Sequence, residues 1–146
     1  MRIFIGTDHR GYQLKENLKT WLTNLNHEVI DKSGAIFDPN DDYTDYAISV
    51  AENVRREPDS KGIVICGSGV GVTIAANKIK EARCCLGFTP NQVKNGREDE
   101  DLNILALASD YTDEDKAQEL ITSFLKTPFL NIERHVRRLE KIAKYD

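Results

Sequence analysis

The stretch Ile63-Val64-Ile65-Cys66-Gly67-Ser68-Gly69-Val70-Gly71 decides how the chain is read. Its apolar, β-branched beginning, from 62 to 66, reads as a buried strand. A strand covered on both faces carries a continuous apolar run rather than an alternating one. The run breaks into three glycines at alternate positions and then into helical periodicity over 71–80. The same alternation extends in both directions. Residues 2–6 read as a first strand, followed by a helix with Leu14, Leu18, Trp21, Leu22 and Leu25 on one face. Residues 28–31 read as a second strand, and 33–42 as a polar loop with Gly34, Pro39 and several acids. A helix over 46–56 turns Ala47, Val50, Ala51 and Val54 inward. Strands at 83–88 and 103–108 follow the glycine turn. A capped helix starts near Thr112-Asp113-Glu114-Asp115, with Ala117, Leu120, Ile121, Phe124 and Leu125 as its stripe. A last helix covers about 131–144, with Ile132, Val136, Leu139 and Ala143 on one side. Strands alternating with crossover helices predict an α/β fold. The expectation is a single-domain Rossmann-like three-layer sandwich with a five-stranded parallel sheet, spanning 1–146.

Composition narrows the function classes. The chain has 146 residues, 40% hydrophobic and 30% charged, with 20 Lys+Arg against 24 Asp+Glu and a formal net charge of −4. A global basic field for nucleic acid is absent. No apolar run approaches the ~20 residues of a membrane span, and the amino terminus reads directly as a strand rather than a leader. Cys66, Cys84 and Cys85 make an odd count without zinc-site spacing. A reducing, cytoplasmic compartment is expected.

Ligands of open parallel sheets bind beyond the carboxyl ends of the strands. Two of the loops there carry chemistry. In Gly67-Ser68-Gly69-Val70-Gly71, successive N–H groups and the following helix start make a nest for negative oxygen. The loop lacks the Gly-Lys-Ser/Thr of a nucleoside-triphosphate loop. It also lacks the third glycine of a dinucleotide fingerprint, since position 72 is Val. A plain glycine-rich turn is the structural alternative. Cys66, at the mouth of the nest, could act as nucleophile or base. Cys84 and Cys85 read as packing residues. Asp8-His9 suits proton transfer, or else Asp8 caps the next helix and His9 is merely exposed. Arg134 and Arg138, one turn apart with Lys141, could clamp a phosphate, or form a solvated face with Glu133 and Glu140. Glu98-Asp99-Glu100-Asp101 reads as a solvated acidic stretch rather than a metal loop.

Taken together, several segments resemble the ribose-5-phosphate isomerase type B family, which includes the galactose-6-phosphate isomerase subunits. They are Gly6-Thr7-Asp8-His9-Arg10-Gly11, Glu28-Val29-Ile30-Asp31, Asp45-Tyr46-Ala47, Cys66 through Gly71, Ala75-Ala76-Asn77-Lys78, Asn103-Ile104-Leu105-Ala106 and Arg134-His135…Arg138. The resemblance implies a Rossmann-like fold without nucleotide and a metal-free, cofactor-free aldose–ketose isomerase. It implies a homodimer with the site between subunits, completed by the last helix. Ribose 5-phosphate and ribulose 5-phosphate would interconvert through an enediolate, with Cys66 as the base between C1 and C2. Gly67, Ser68, Gly69, Val70 and Gly71 would hold the enediolate oxygens. Asp8 and His9 would bind the sugar, and Arg134 with Arg138 the phosphate. Members of that family carry His-Asn where this chain has Asp99-Glu100, that histidine serving ring opening. They often carry Arg at the position of Asp110, and Thr at that of Ser68, whose hydroxyl is kept. Asp99 is accordingly the expected proton donor or acceptor, with His9 as its substitute, and Glu100 a substrate contact. The departures also admit a hexose or modified sugar phosphate, or sugar-phosphate binding without catalysis.

Overall fold

The computed structural model describes residues 1–34 and 36–146. Five strands form one all-parallel sheet in the order β2-β1-β3-β5-β4. They are β1 (Arg2–Thr7), β2 (Glu28–Asp31), β3 (Lys61–Cys66), β4 (Cys84–Leu86) and β5 (Ile104–Ala108). Six α-helices surround them: α1 (Tyr12–Asn24), α2 (Tyr43–Arg56), α3 (Val70–Ala76), α4 (Pro90–Glu100), α5 (Glu114–Lys126) and α6 (Glu133–Ile142). Among the described residues no helix is long and apolar enough to cross a membrane.

The period of two along each strand divides the core. Ile3, Ile5, Ile63, Ile65, Leu105 and Leu107 point to one face, where they pack with Leu18 and Leu22 of α1, Val93 of α4, and Leu120, Ile121 and Phe124 of α5. Phe4, Val64, Cys66, Ile104 and Ala106 point to the other, against Ala47, Val50, Ala51 and Val54 of α2 and Val72, Ala75 and Ala76 of α3. This is the expected three-layer sandwich.

Four expectations are corrected. The helix expected over 71–80 spans Val70–Ala76, and the strand expected over 83–88 shortens to Cys84–Leu86. One side chain accounts for both. The Asn77 carboxamide takes the Cys84 N–H and donates to the Cys84 carbonyl, both at 2.8 Å, standing in for a neighbouring strand at the sheet edge. Helix α4 has no counterpart in the apolar periodicity. Its start is signalled by Thr89, which accepts from the Gln92 N–H, and by Pro90 in the first turn. Its inward positions are Val93 and Arg97, one apolar and one charged. The buried Arg97 is satisfied by Asp101 at 2.8 Å, by the Thr127 carbonyl at 3.1 Å and by the Leu102 carbonyl. Leu25 lies past the end of α1 and is exposed, and α1 instead buries Lys15 completely. Helix α6 carries its expected apolar side: Val136 and Leu139 are half-buried and His135 is buried, while Ile132 and Ile142 at the two ends are exposed.

Candidate active site

The order in which strands are added reverses between β1 and β3: from β1 the sheet grows outward to β2, and from β3 it grows the other way to β5 and β4. Such a switch point opens a crevice at the carboxyl ends of the two central strands. Thr7 pairs with Ile65 in register, so Asp8-His9 and Cys66-Gly67 emerge side by side.

On the β3 side, Gly69 adopts φ +72°, a left-handed conformation that glycine takes without strain. This turns the chain sharply from Cys66 into α3. The carbonyls of Cys66 and Gly67 are taken by the N–H groups of Ser109 (2.9 Å) and Asp110 (3.0 Å), which follow β5. The Ile65 carbonyl accepts from the Thr7 hydroxyl at 3.0 Å. With its carbonyls engaged behind it, the loop leaves the N–H groups of Ser68 and Gly69 without an acceptor among the described residues. The Ser68 hydroxyl accepts from the Val70 N–H at 3.3 Å. Gly67 and Gly71 permit close approach by two side chains. A Cβ on Gly67 would stand 2.4 Å from the Arg10 guanidinium carbon, and one on Gly71 would stand 2.5 Å from the Tyr43 ring. Arg10 is ion-paired with Asp110 above this loop. Cys66 is sheltered, with 4% of its surface exposed, at the carboxyl end of the α2/α3 layer. Burial pushes the Cys84 and Cys85 thiols up. Both stand near the amino end of β4 and serve packing.

On the β1 side, Asp8 does cap the short 3-10 turn His9–Gly11, its carboxylate accepting from the Arg10 N–H at 3.1 Å. Burial pushes its carboxyl above the ordinary value, and the Arg10 N–H and His9 offset only part of this. His9 is not merely exposed. Its Nδ1 lies 2.8 Å from an Asp41 oxygen that also accepts the His9 backbone N–H at 2.9 Å. Asp41 is hydrogen-bonded to Tyr46 as well, and burial followed by this carboxylate pushes the Tyr46 phenol up.

Asp99, Glu100, Arg134 and Arg138 stand elsewhere. Helix α4 runs against the strand direction, so its last turn lies at their amino ends. The ammonium of Lys61, at the amino end of β3, is lowered by burial and then by Arg97. Cys66 is five residue steps further along β3, about 17 Å. The first turn of α6 is tied to the same pole. His135, 1% exposed, donates from Nδ1 to the Glu98 carbonyl at 3.2 Å and accepts at Nε2 from Arg134 at 3.1 Å. Asp99 lies 3.5 Å from that imidazole. Of the basic helix face, Arg137 rather than Arg134 pairs with Glu133. One chain thus brings Asp8, His9, Cys66 and Gly67–Gly71 together at one pole, and Asp99, Glu100, Arg134 and Arg138 at the other. The acidic run is less free than a solvated stretch, since Asp101 pairs with Arg97 and Arg83.

Arg10, Asp41 and Tyr43 escaped the sequence reading. Arg10 follows Asp8-His9 directly, but nothing local marks its path over Gly67. Asp41 is one of several acids in a loop, and only folding selects it.

A family model described as Ribose/Galactose Isomerase matches residues 3–142. The ribose-5-phosphate isomerase B of Mycolicibacterium paratuberculosis is 34% identical over 146 residues, covering 100% of this chain and 92% of that protein. The probable ribose-5-phosphate isomerase B of Mycoplasma genitalium is 37% identical, covering 99% and 95%. Its crystal structure with bound ribulose-5-phosphate superimposes with a TM-score of 0.93 at 37% identity, covering 99% and 95% of the two chains. The enzyme of Clostridium thermocellum gives 0.93 at 38% identity, covering 99% and 97%. With sequence and fold agreeing along the whole length, the chain belongs to the ribose/galactose isomerase family.

Proposed function

We propose that the chain interconverts ribose 5-phosphate and ribulose 5-phosphate, with the Cys66 sulfur moving a proton between C1 and C2. The observation that carries this is the placement of Cys66 at the carboxyl end of β3, at the switch point, leading directly into a turn whose Ser68 and Gly69 N–H groups face no acceptor among the described residues.

The chemistry follows from that placement. A C–H beside a carbonyl is a weak acid, and its removal puts negative charge on oxygen. Fixed backbone donors aimed at that oxygen contribute about 3 kcal/mol each, because they need not reorganise during the reaction. The base then returns the proton to the neighbouring carbon, giving the ketose from the aldose. Asp8 and the Ser68 hydroxyl offer hydrogen bonds to sugar hydroxyls. No metal or cofactor enters this scheme.

The phosphate is assigned to Arg134 and Arg138, assisted by Glu100 and Asp99 toward the sugar. These residues stand a strand's length from Cys66 in their own chain, so the assignment requires two copies, each completing the other's site with α6. The exposed apolar residues support such a homodimer. They include Val70 and Ile74, one turn apart on α3, and Leu130, Ile132 and Ile142 around α6. Three free thiols support a reducing, cytoplasmic setting.

A second reading, isomerisation of a hexose or modified sugar phosphate, is favoured by Asp110. It sets a carboxylate beside Arg10 over the turn, where a further hydroxyl could be bound. The test is a panel of aldose phosphates assayed for ketose formation with the wild-type chain and Cys66→Ala. Turnover should be highest on ribose 5-phosphate and fall at least about 1,000-fold in Cys66→Ala, with unchanged folding. Normal turnover by that variant would remove Cys66 as the base.

A further inference from the structure

We propose that Arg10 and Asp110 form a clasp that fixes the turn after Cys66, Arg10 being a positioning residue for the proton transfer and not a substrate contact. The proposal rests on the isomerase reading and deepens it.

Glycine creates the need for such a clasp. Ser68 lies between Gly67 and Gly69, and a residue without a Cβ explores φ and ψ widely. A turn built on two of them leaves its N–H groups free to swing. A donor that swings must be reoriented as negative charge develops, which forfeits most of its advantage. The restriction has to come from outside the turn.

Asp110 grips the turn twice. Its N–H donates to the Gly67 carbonyl at 3.0 Å. A peptide group is planar and trans, so that carbonyl and the Ser68 N–H point in opposite directions. Holding the carbonyl behind the turn therefore aims the Ser68 N–H outward. The Asp110 carboxylate, in turn, pairs with Arg10. The Arg10 guanidinium occupies the place of the missing side chain: a Cβ on Gly67 would stand 2.4 Å from its Cζ and Nε and 2.7 Å from its Nη1. Arg10 thus supplies the steric wall that glycine lacks. It reaches Gly67 from the start of α1, on the sheet face opposite the α2/α3 layer that holds Cys66, so it stands on the side away from the thiol. Ser109 completes the ring. Its N–H donates to the Cys66 carbonyl at 2.9 Å, and its hydroxyl lies 3.1 Å from the Arg10 carbonyl and 3.3 Å from the Cys66 carbonyl. The ends of β1, β3 and β5 are joined around Gly67.

The Arg10 and Asp110 side chains are 54% and 36% exposed. An exposed ion pair contributes little to folding stability, so the effect of this one falls on orientation and is read in turnover.

The test is a double-variant cycle on ribose 5-phosphate, with the urea midpoint measured alongside. Arg10→Gln and Asp110→Asn should each lower kcat about tenfold, with KM within about threefold and the midpoint unchanged. Because both break one clasp, the double variant should also lose about tenfold, not the hundredfold of independent residues. Raising sodium chloride from about 0.05 M to about 0.5 M screens an exposed pair. At saturating substrate it should lower kcat of the wild-type chain about twofold and leave that of the double variant unchanged. Additive losses, or none, overturn the clasp. A larger shift in KM, or a changed preference among aldose phosphates, overturns it by making Arg10 or Asp110 a substrate contact. A fall in kcat that follows a lowered midpoint overturns it by making the pair merely structural. In all these cases the isomerase reading stands. A wild-type chain inert on every aldose phosphate overturns that reading, and this proposal with it.

Discussion

The two ends of the sheet are built on different principles. At the carboxyl ends, the site consists mainly of backbone: the turn from Cys66 to Gly71, its carbonyls held by Ser109 and Asp110, and the capped turn at Asp8. At the amino ends, the candidate groups are long side chains on two helix ends, Asp99 and Glu100 on α4 and Arg134 and Arg138 on α6, with His135 as the rivet between them. The first arrangement is rigid because the chain cannot relocate a peptide group without breaking β3 or α3. The second is adjustable, and by itself it encloses nothing. The lesson is that orienting developing charge is assigned to main chain, whereas binding a distant charge is left to flexible cations.

The comparison is most strongly tested by asking whether the two poles meet across copies. Cys66→Ala and the double variant Arg134→Ala/Arg138→Ala should each lose at least about 100-fold in kcat/KM alone. Mixed after reversible dissociation, they should regain about a quarter of wild-type activity, because half the dimers are then mixed and each carries one intact site. Activity of the mixture equal to the mean of its parts would mean that the poles do not share a site.

A smaller effect probes the rigidity of the backbone pole. Gly69→Ala must hold a Cβ at φ +72° and 2.4 Å from a Leu86 methyl carbon. A loss of about 1–3 kcal/mol is expected, read as a lower midpoint in urea. Alanine at Arg138, exposed on α6, should leave that midpoint unchanged within about 0.5 kcal/mol.

The smallest effect concerns Asp8. Its folded-state carboxyl is raised by burial, so the folded protein holds this proton more tightly than the unfolded chain does. The ionised group is then a cost that is present above its raised pKa and vanishes as pH falls below the ordinary carboxylate value, near 3.9. Asp8→Asn, which can keep the cap to the Arg10 N–H, should raise the melting temperature by a few degrees at pH 7, with the gain fading toward pH 3. A gain independent of pH would refute this account of Asp8.

Much of this was legible before folding. Continuous apolar β-branched runs announce covered strands, and the glycine spacing after Cys66 announces a turn that main-chain donors can use. Asp8-His9 was legible for the same reason, since a strand end is a local event. Helix α4 was not, because Arg97 holds an inward position whose partners, Asp101 and the Thr127 and Leu102 carbonyls, exist only in the fold. The length of α3 was not, because Asn77 ends it by pairing with a strand seven residues on.

The amino-acid order alone determined the layers, the binding end of a parallel sheet and the chemistry of the turn after β3, since all follow from periodicity and from what glycine permits. Only the tertiary structure decided that Asp41, among several acids in one loop, meets His9, and that the arginines of α6 stand a strand's length from Cys66. The reason is physical: local patterns specify backbone conformation, whereas which distant side chains meet depends on helix directions and loop anchors that no short segment contains.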